Sequence, residues 1–210
     1  MSYDLHDAAM DAAYDHWSEE LYPEHRDQAI AEFRRKRLRS YYLDHKDLLV
    51  PAARNFRSAE ALSRAGHSAA AIVFAASAVE LFLKACLLRP VVAGLVHSET
   101  LANVLVESAL SQTGFKRYMK LLTALFKDLA DQDIAKIVRV GASKPLLGEI
   151  SALQQHRNDI AHDGSDAAPE QAAVAVSIAR AVFDEVLAVV LAKLGVTVLP
   201  GGGLADAEVP

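Results

Sequence analysis

The sequence predicts an all-α protein, an antiparallel helical bundle, on three observations. Apolar residues recur at three- and four-residue spacing in segment after segment. Proline and glycine cut that pattern into pieces of helical length. The only β-like run, Val196 to Leu199, is too short and too isolated to build a sheet.

Taken in order, residues 4–21 carry Leu5, Ala9, Ala12, Trp17 and Leu21 at helical spacing, and Pro23 then interrupts. A second helix, from about Pro23 to His45, offers Ile30, Phe33, Leu38 and Tyr42 as inner contacts. Arg34, Arg35, Lys36, Arg37 and Arg39 crowd its middle, either as a solvated face or as a track for RNA phosphates. Tyr41 and Tyr42 beside them suit packing or base stacking. Pro51 fits a first helical position and Gly66 a stop, which bounds the next helix.

Ser68 then caps a helix running to Leu88 that is apolar nearly all round, so it belongs in the middle of the bundle. Its exceptions, Glu80 and Lys84, lie at i, i+4. They form an ion pair with each other, or Glu80 turns toward a functional site. Two charges near its centre and no aromatic belt favour a core helix over a membrane span. Pro90 ends this helix, and Val91 to His97 is a connection centred on Gly94. Residues 99–111 and 115–130 are helical on either side of Gly114, and Asp133 to Val140 is a short helical piece.

Ser143 and Pro145 supply the cap and first turn of a further helix, with Gly164 as its stop. The last helix starts at Pro169 and stops at Gly195. Beyond it, three consecutive glycines and two prolines make Leu199 to Pro210 a mobile tail. The expected organisation is a helical extension over residues 1–35, a helical domain over 36–196 and a flexible tail over 197–210.

With 210 residues, 52% of them hydrophobic, the chain buries one substantial core and needs no second domain. A net charge of −5 argues against coating nucleic acid through a bulk field, so a charged partner must be met at a local patch. The single cysteine, Cys86, excludes an intramolecular disulfide, and the acidic start lacks the basic and apolar regions of a signal peptide. A cytoplasmic protein is expected. Its eight histidines form no His-Glu-x-x-His or Glu-x-x-His pattern, and Asp159 with His162 is too little for a metal site. Neither a nucleophile elbow nor a phosphate-binding glycine loop is present, so no metal and no cofactor are expected.

One stretch breaks the apolar pattern. From Gln154 to Gly164 it packs His156, Arg157, Asn158, Asp159, His162 and Asp163 into the last turns of a helix. Asn158 and His162 share a face at i, i+4, and Arg157 sits one position round.

Arg157, followed by a polar residue and then by His162 after a four-residue gap, resembles the R-x4–6-H signature of the HEPN superfamily. The upstream segment Ser77 to Ala85, with Glu80 and Lys84 in leucine-rich surroundings, is similar to the preceding helix of many prokaryotic members. The resemblance spans roughly residues 35–195. It implies a four-helix core with extra helices at the N-terminus and a metal-independent endoribonuclease, of the kind found in toxin–antitoxin and defence systems. It also implies a homodimer whose two motifs face each other, and the family includes toxins that act beside a nucleotidyltransferase antitoxin.

In RNA the 2′-hydroxyl is an internal nucleophile, so the protein supplies only proton transfer and charge stabilisation. On this reading His162 is the general acid or base, Arg157 clamps the phosphate, and Asn158 fixes the imidazole or bonds the phosphate. Glu80 and Asp159 stand behind them, and Arg34, Arg35 and Arg37 bind the RNA backbone. The family also contains members that bind nucleotides or partner proteins without cutting, which leaves a non-cleaving interaction module as the alternative.

Overall fold

The computed structural model describes residues 28–95 and 115–207. The helices expected over residues 4–21 and 99–111 fall outside them. Among the described residues the fold is all-α apart from one small hairpin. The chain divides into two compact units, residues 1–37 and 38–210.

In the first unit, residues 28–37 are helical, forming the start of α1 (28–44). Glu32 and Lys36 pair at 2.7 Å across one turn, and the Arg37 guanidinium lies 5.7 Å from the centre of the Phe33 ring. Ile30 and Phe33, expected inward, are about half exposed, at 47% and 54%.

The second unit takes up the chain at Leu38, and here the inward pattern holds: Leu38 and Tyr42 are fully buried. Burial also removes Tyr42 as a base-stacking residue. Helix α2 (Val50–Arg64) starts with Pro51 in its first turn, where the missing N–H has no helical partner to lose. Gly66 turns the chain out of it at a φ of +80°. Helix α3 (Ser68–Leu83) follows, with Ser68 as its first residue rather than its cap.

Helix α3 is the centre of the fold. Ala71, Ile72, Ala75, Ala76, Ala78 and Val79 are all fully buried, because helices cover it on several sides. The continuous helix Ser68–Ala93 is long and apolar enough to cross a membrane, with a mean hydropathy of 2.1, yet the protein's own helices cover most of it. Its composition is therefore accounted for by core packing.

Pro90 does not end this helix. Helix α3 opens into a π turn (Lys84–Leu88), and α4 (Arg89–Leu95) continues through the proline. A proline inside a helix lacks the N–H that would bond the carbonyl four residues back, here that of Cys86. The Tyr42 hydroxyl takes the vacant place, donating to the Cys86 carbonyl at 2.7 Å. The wider turn and a buried phenol together absorb a residue that local rules read as a stop.

Helix α5 (Phe115–Ala130) buries Tyr118, Leu122, Phe126 and Ala130. Between Asp133 and Val140 only Ile134–Lys136 is helical, as a single 3-10 turn capped by the Asp133 carboxylate. Helix α6 (Leu146–Asp163) begins directly after Pro145, with no side chain capping it, so Ser143 does not play that role. Arg139 holds this entry instead. Its guanidinium makes a two-point pair with Glu149 at 2.9 Å and donates to Ser177 Oγ at 3.2 Å, which joins the incoming loop to α6 and α7.

Helix α7 (Pro169–Ala181) starts where Gln171 Oε1 accepts from the Ala168 N–H at 2.8 Å. It passes through a second π turn (Val182–Leu187) into α8 (Ala188–Lys193) and stops at Gly195, φ +68°. The segment expected as a mobile tail folds back. Strand β1 (Val196–Val198) pairs antiparallel with β2 (Leu204–Asp206), Thr197 opposite Ala205. Arg39 grips Asp206 through two contacts at 2.6 and 2.7 Å, and the Leu204 N–H donates to the Lys46 carbonyl. Arg39, in the basic cluster by sequence, thus holds the hairpin.

Tyr42→Phe is expected to leave the Cys86 carbonyl buried and unpaired, lowering unfolding free energy by about 1–3 kcal/mol in denaturant titrations. A change close to zero would mean that the phenol does not stand in for the proline's missing N–H.

Candidate functional site

Helix α6 has two different halves. Leu146, Leu147, Ile150 and Leu153 are buried and anchor the first. Past Leu153 the apolar stripe gives way to polar residues. Residues 154–160 include no fully buried side chain, and all of 161–166 are exposed. Gly164 closes the helix at φ +66°, its N–H donating to the Asp159 carbonyl. The polar motif therefore stands on a helix end fixed at one side and open to solvent at the other.

Two tethers hold this second half to α3. Gln154 Nε2 reaches the Ala76 carbonyl at 3.5 Å, and Arg157 Nη2 reaches Glu80 Oε2 at 3.4 Å. Gln154 and Arg157 share a face at i, i+3, and Ala76 and Glu80 do so at i, i+4, so the helices meet along matching rows. The other Glu80 oxygen, Oε1, accepts from Lys84 Nζ at 2.7 Å. Glu80 thus pairs with Lys84 through one oxygen and turns toward the motif through the other, where it meets Arg157 rather than His162.

Lys84 Nζ also lies 5.3 Å from the centre of the Tyr118 ring. Burial, and then the nearby Glu80 carboxylate, push the Tyr118 hydroxyl well above the ordinary tyrosine range, so it stays neutral. Arg157, Glu80 and Lys84 keep 30%, 33% and 21% of their side-chain surface, which leaves the cluster open to a ligand. Tyr118 is separated from Lys84 by 34 positions and reads locally as one more core aromatic, so nothing in its own surroundings signals this contact.

The remaining motif residues stand apart. Asp159 accepts from Gln155 Nε2 at 2.7 Å along its own helix. Asn158 is half-buried and His162 exposed, and among the described residues neither makes a side-chain hydrogen bond. At about 100° per residue, His162 lies only about 40° round from Asn158 but about 140° from Arg157. Within one chain the guanidinium turns toward α3 while the imidazole faces solvent.

Of the basic cluster, Arg35 is exposed and Arg34 and Arg37 are half-buried, all three in the first unit. Tyr41 is half-buried and stacks on His45, ring centres 4.2 Å apart. Among the described residues no group of three His, Cys, Asp or Glu is placed to hold a metal ion. Chemically, the cluster offers a partly neutralised guanidinium for an anion and, separately, a solvent-open imidazole for proton transfer. No protein-family model, curated protein or solved structure matches the chain.

Double-mutant cycles among Glu80→Gln, Lys84→Met and Arg157→Met are expected to give a larger coupling for Glu80 with Lys84 than with Arg157. Both should be no more than about 1 kcal/mol, since the groups are partly exposed. Denaturant midpoints measure them, and the reverse ranking would contradict the geometry.

Proposed function

We propose that this chain is a HEPN-type ribonuclease that cleaves RNA without a metal. The observation that carries the reading is the Arg157 guanidinium, held across α3 by one Glu80 oxygen and still partly exposed, five residues before a solvent-open His162. Glu80 aims the fork and limits its rotamers. The free edge of the guanidinium meets the non-bridging oxygens of a phosphate as charge builds there.

The chemistry uses the substrate's own nucleophile. A base removes the 2′-hydroxyl proton, the oxygen attacks the adjacent phosphorus, and the 5′-oxygen leaves after receiving a proton. A 2′,3′-cyclic phosphate and a 5′-hydroxyl result. His162 performs the proton transfers, and Asn158, on its face of α6, orients the imidazole or bonds the phosphate. Asp159, bonded to Gln155, steadies the same turn.

Because Arg157 and His162 diverge around α6, a complete site is most simply made by two copies. A twofold axis beside the exposed helix end sets two imidazoles on opposite sides of one phosphate, one as base and one as acid. We place the protein in the cytoplasm as a homodimer, with Arg34, Arg35 and Arg37 contacting the RNA backbone. A toxin–antitoxin or defence role, with a nucleotidyltransferase as antitoxin, follows from the same resemblance.

A second reading is favoured by one observation. Glu80 already neutralises Arg157, which suits a non-cleaving module that binds a nucleotide or a partner protein through the polar end of α6.

Purified protein is expected to cut single-stranded RNA in EDTA. His162→Ala and Arg157→Ala should each reduce the rate by about a hundredfold or more, with thermal melting little changed. Absence of cleavage on every RNA tested would transfer support to the interaction module, and full activity in both variants would remove Arg157 and His162 from the chemistry.

A further inference from the structure

A separate cavity of about 210 Å³ lies between α2, the end of α3, the second π turn and the C-terminal hairpin. Its apolar walls include Phe56, Phe82, Phe183 and Val198, and Arg57, Arg180 and Asp184 stand at its lining. None of these residues belongs to the polar end of α6. We infer that this cavity is a binding site for a small organic monocarboxylate whose body is about one ring in size, with its carboxylate on Arg57.

Size sets the first limit. An engineered apolar cavity of about 150 Å³ accepts benzene, so the volume here admits one ring with a short substituent and excludes a nucleotide. The walls set the second. Phe82 and Phe183 meet with ring centres 5.4 Å apart, and Phe56 lies beneath the Arg180 guanidinium, 5.2 Å from ring centre to cation. Flat apolar faces of this kind receive a ring or short hydrocarbon body.

Charge sets the third. Arg180 is engaged by Glu60 as well as by Phe56. Arg57 is exposed and, among the described residues, has no carboxylate partner; its contact is one long bond from Nη2 to the Gly201 carbonyl at 3.4 Å. Its remaining donors are free for an anion. Asp184 in the same lining opposes a second negative charge, which favours a monocarboxylate over a phosphate or a dicarboxylate.

The cavity is also built rather than left over. Phe183 sits in the π turn of the C-terminal helix, and Phe82 lies just before the π turn of the central one, a local irregularity often found at functional sites. The hairpin wall is pressed onto α2 at Gly202. With φ +94°, a Cβ there would stand 2.8 Å from the Ala53 Cβ and 3.2 Å from the Leu49 carbonyl oxygen, so only glycine lets the loop close this side.

Phenylacetate, 2-phenylethanol and inorganic phosphate, titrated onto the 210-residue chain by calorimetry and ligand-detected NMR, test the assignment. Phenylacetate is expected to bind saturably, 2-phenylethanol about tenfold more weakly, and phosphate not measurably at the same concentration. Arg57→Gln, on an exposed position that leaves the fold alone, should lower phenylacetate affinity about tenfold. Val198→Phe, checked for folding by thermal melting, should abolish binding by filling the cavity. No saturable phenylacetate binding, equal affinity for the neutral alcohol, or undiminished binding in Arg57→Gln would each overturn the assignment.

Discussion

The divided carboxylate of Glu80 is the constraint on which the candidate site of this protein depends. Helix α3 is buried nearly all round, and a lone charge on it would be costly. Giving one oxygen to Lys84 and the other to Arg157 satisfies the anion and ties α3 to the polar half of α6, where Ile160 packs against the core. Removing it would leave two partly buried cations without their anion, a worse outcome than replacing the whole cluster by apolar residues. The same contact limits where the Arg157 fork points, so packing and proposed chemistry meet in one side chain.

A second dependence runs through the end of α3. Pro90 should break a helix, yet the chain continues because Tyr42 donates to the carbonyl the proline leaves unpaired, and the π turn provides room. Burial pushes the Cys86 thiol there up to about 12, so the side chain stays protonated and serves as packing. At the other end of the chain the hairpin is held by the Arg39 pair with Asp206 and by the fit of Gly202 against Ala53.

What the sequence discloses follows from how local the cause is. Helix α2 was legible in Pro51 and Gly66, α3 in its apolar run, and the end of α6 in Gly164, because the deciding chemistry lies within one turn. Pro90 and the hairpin depart from the local reading because their partners are distant in sequence, a phenol 48 positions before the proline and an arginine 167 positions from Asp206, whereas Ser143 is bypassed because the Arg139 to Glu149 pair holds the helix entry. In the candidate site, the residue types and their one helix were readable from spacing. Spacing leaves Glu80 open between Lys84 and the site, because only the folded packing of α3 on α6 gives each oxygen its partner, and the Tyr118 contact has no local signal at all. Helical phase alone already separates Arg157 from His162, which makes a two-chain site the economical form of the proposed chemistry.

The central claim is that the guanidinium and the imidazole of α6 act on a ribose phosphate through its own 2′-hydroxyl. End-group analysis of RNA cut by the purified protein in EDTA tests it most directly. The account requires fragments ending in a 2′,3′-cyclic phosphate and beginning with a 5′-hydroxyl. Fragments with a 3′-hydroxyl and a 5′-phosphate would contradict it, because water rather than the neighbouring ribose oxygen would then have attacked.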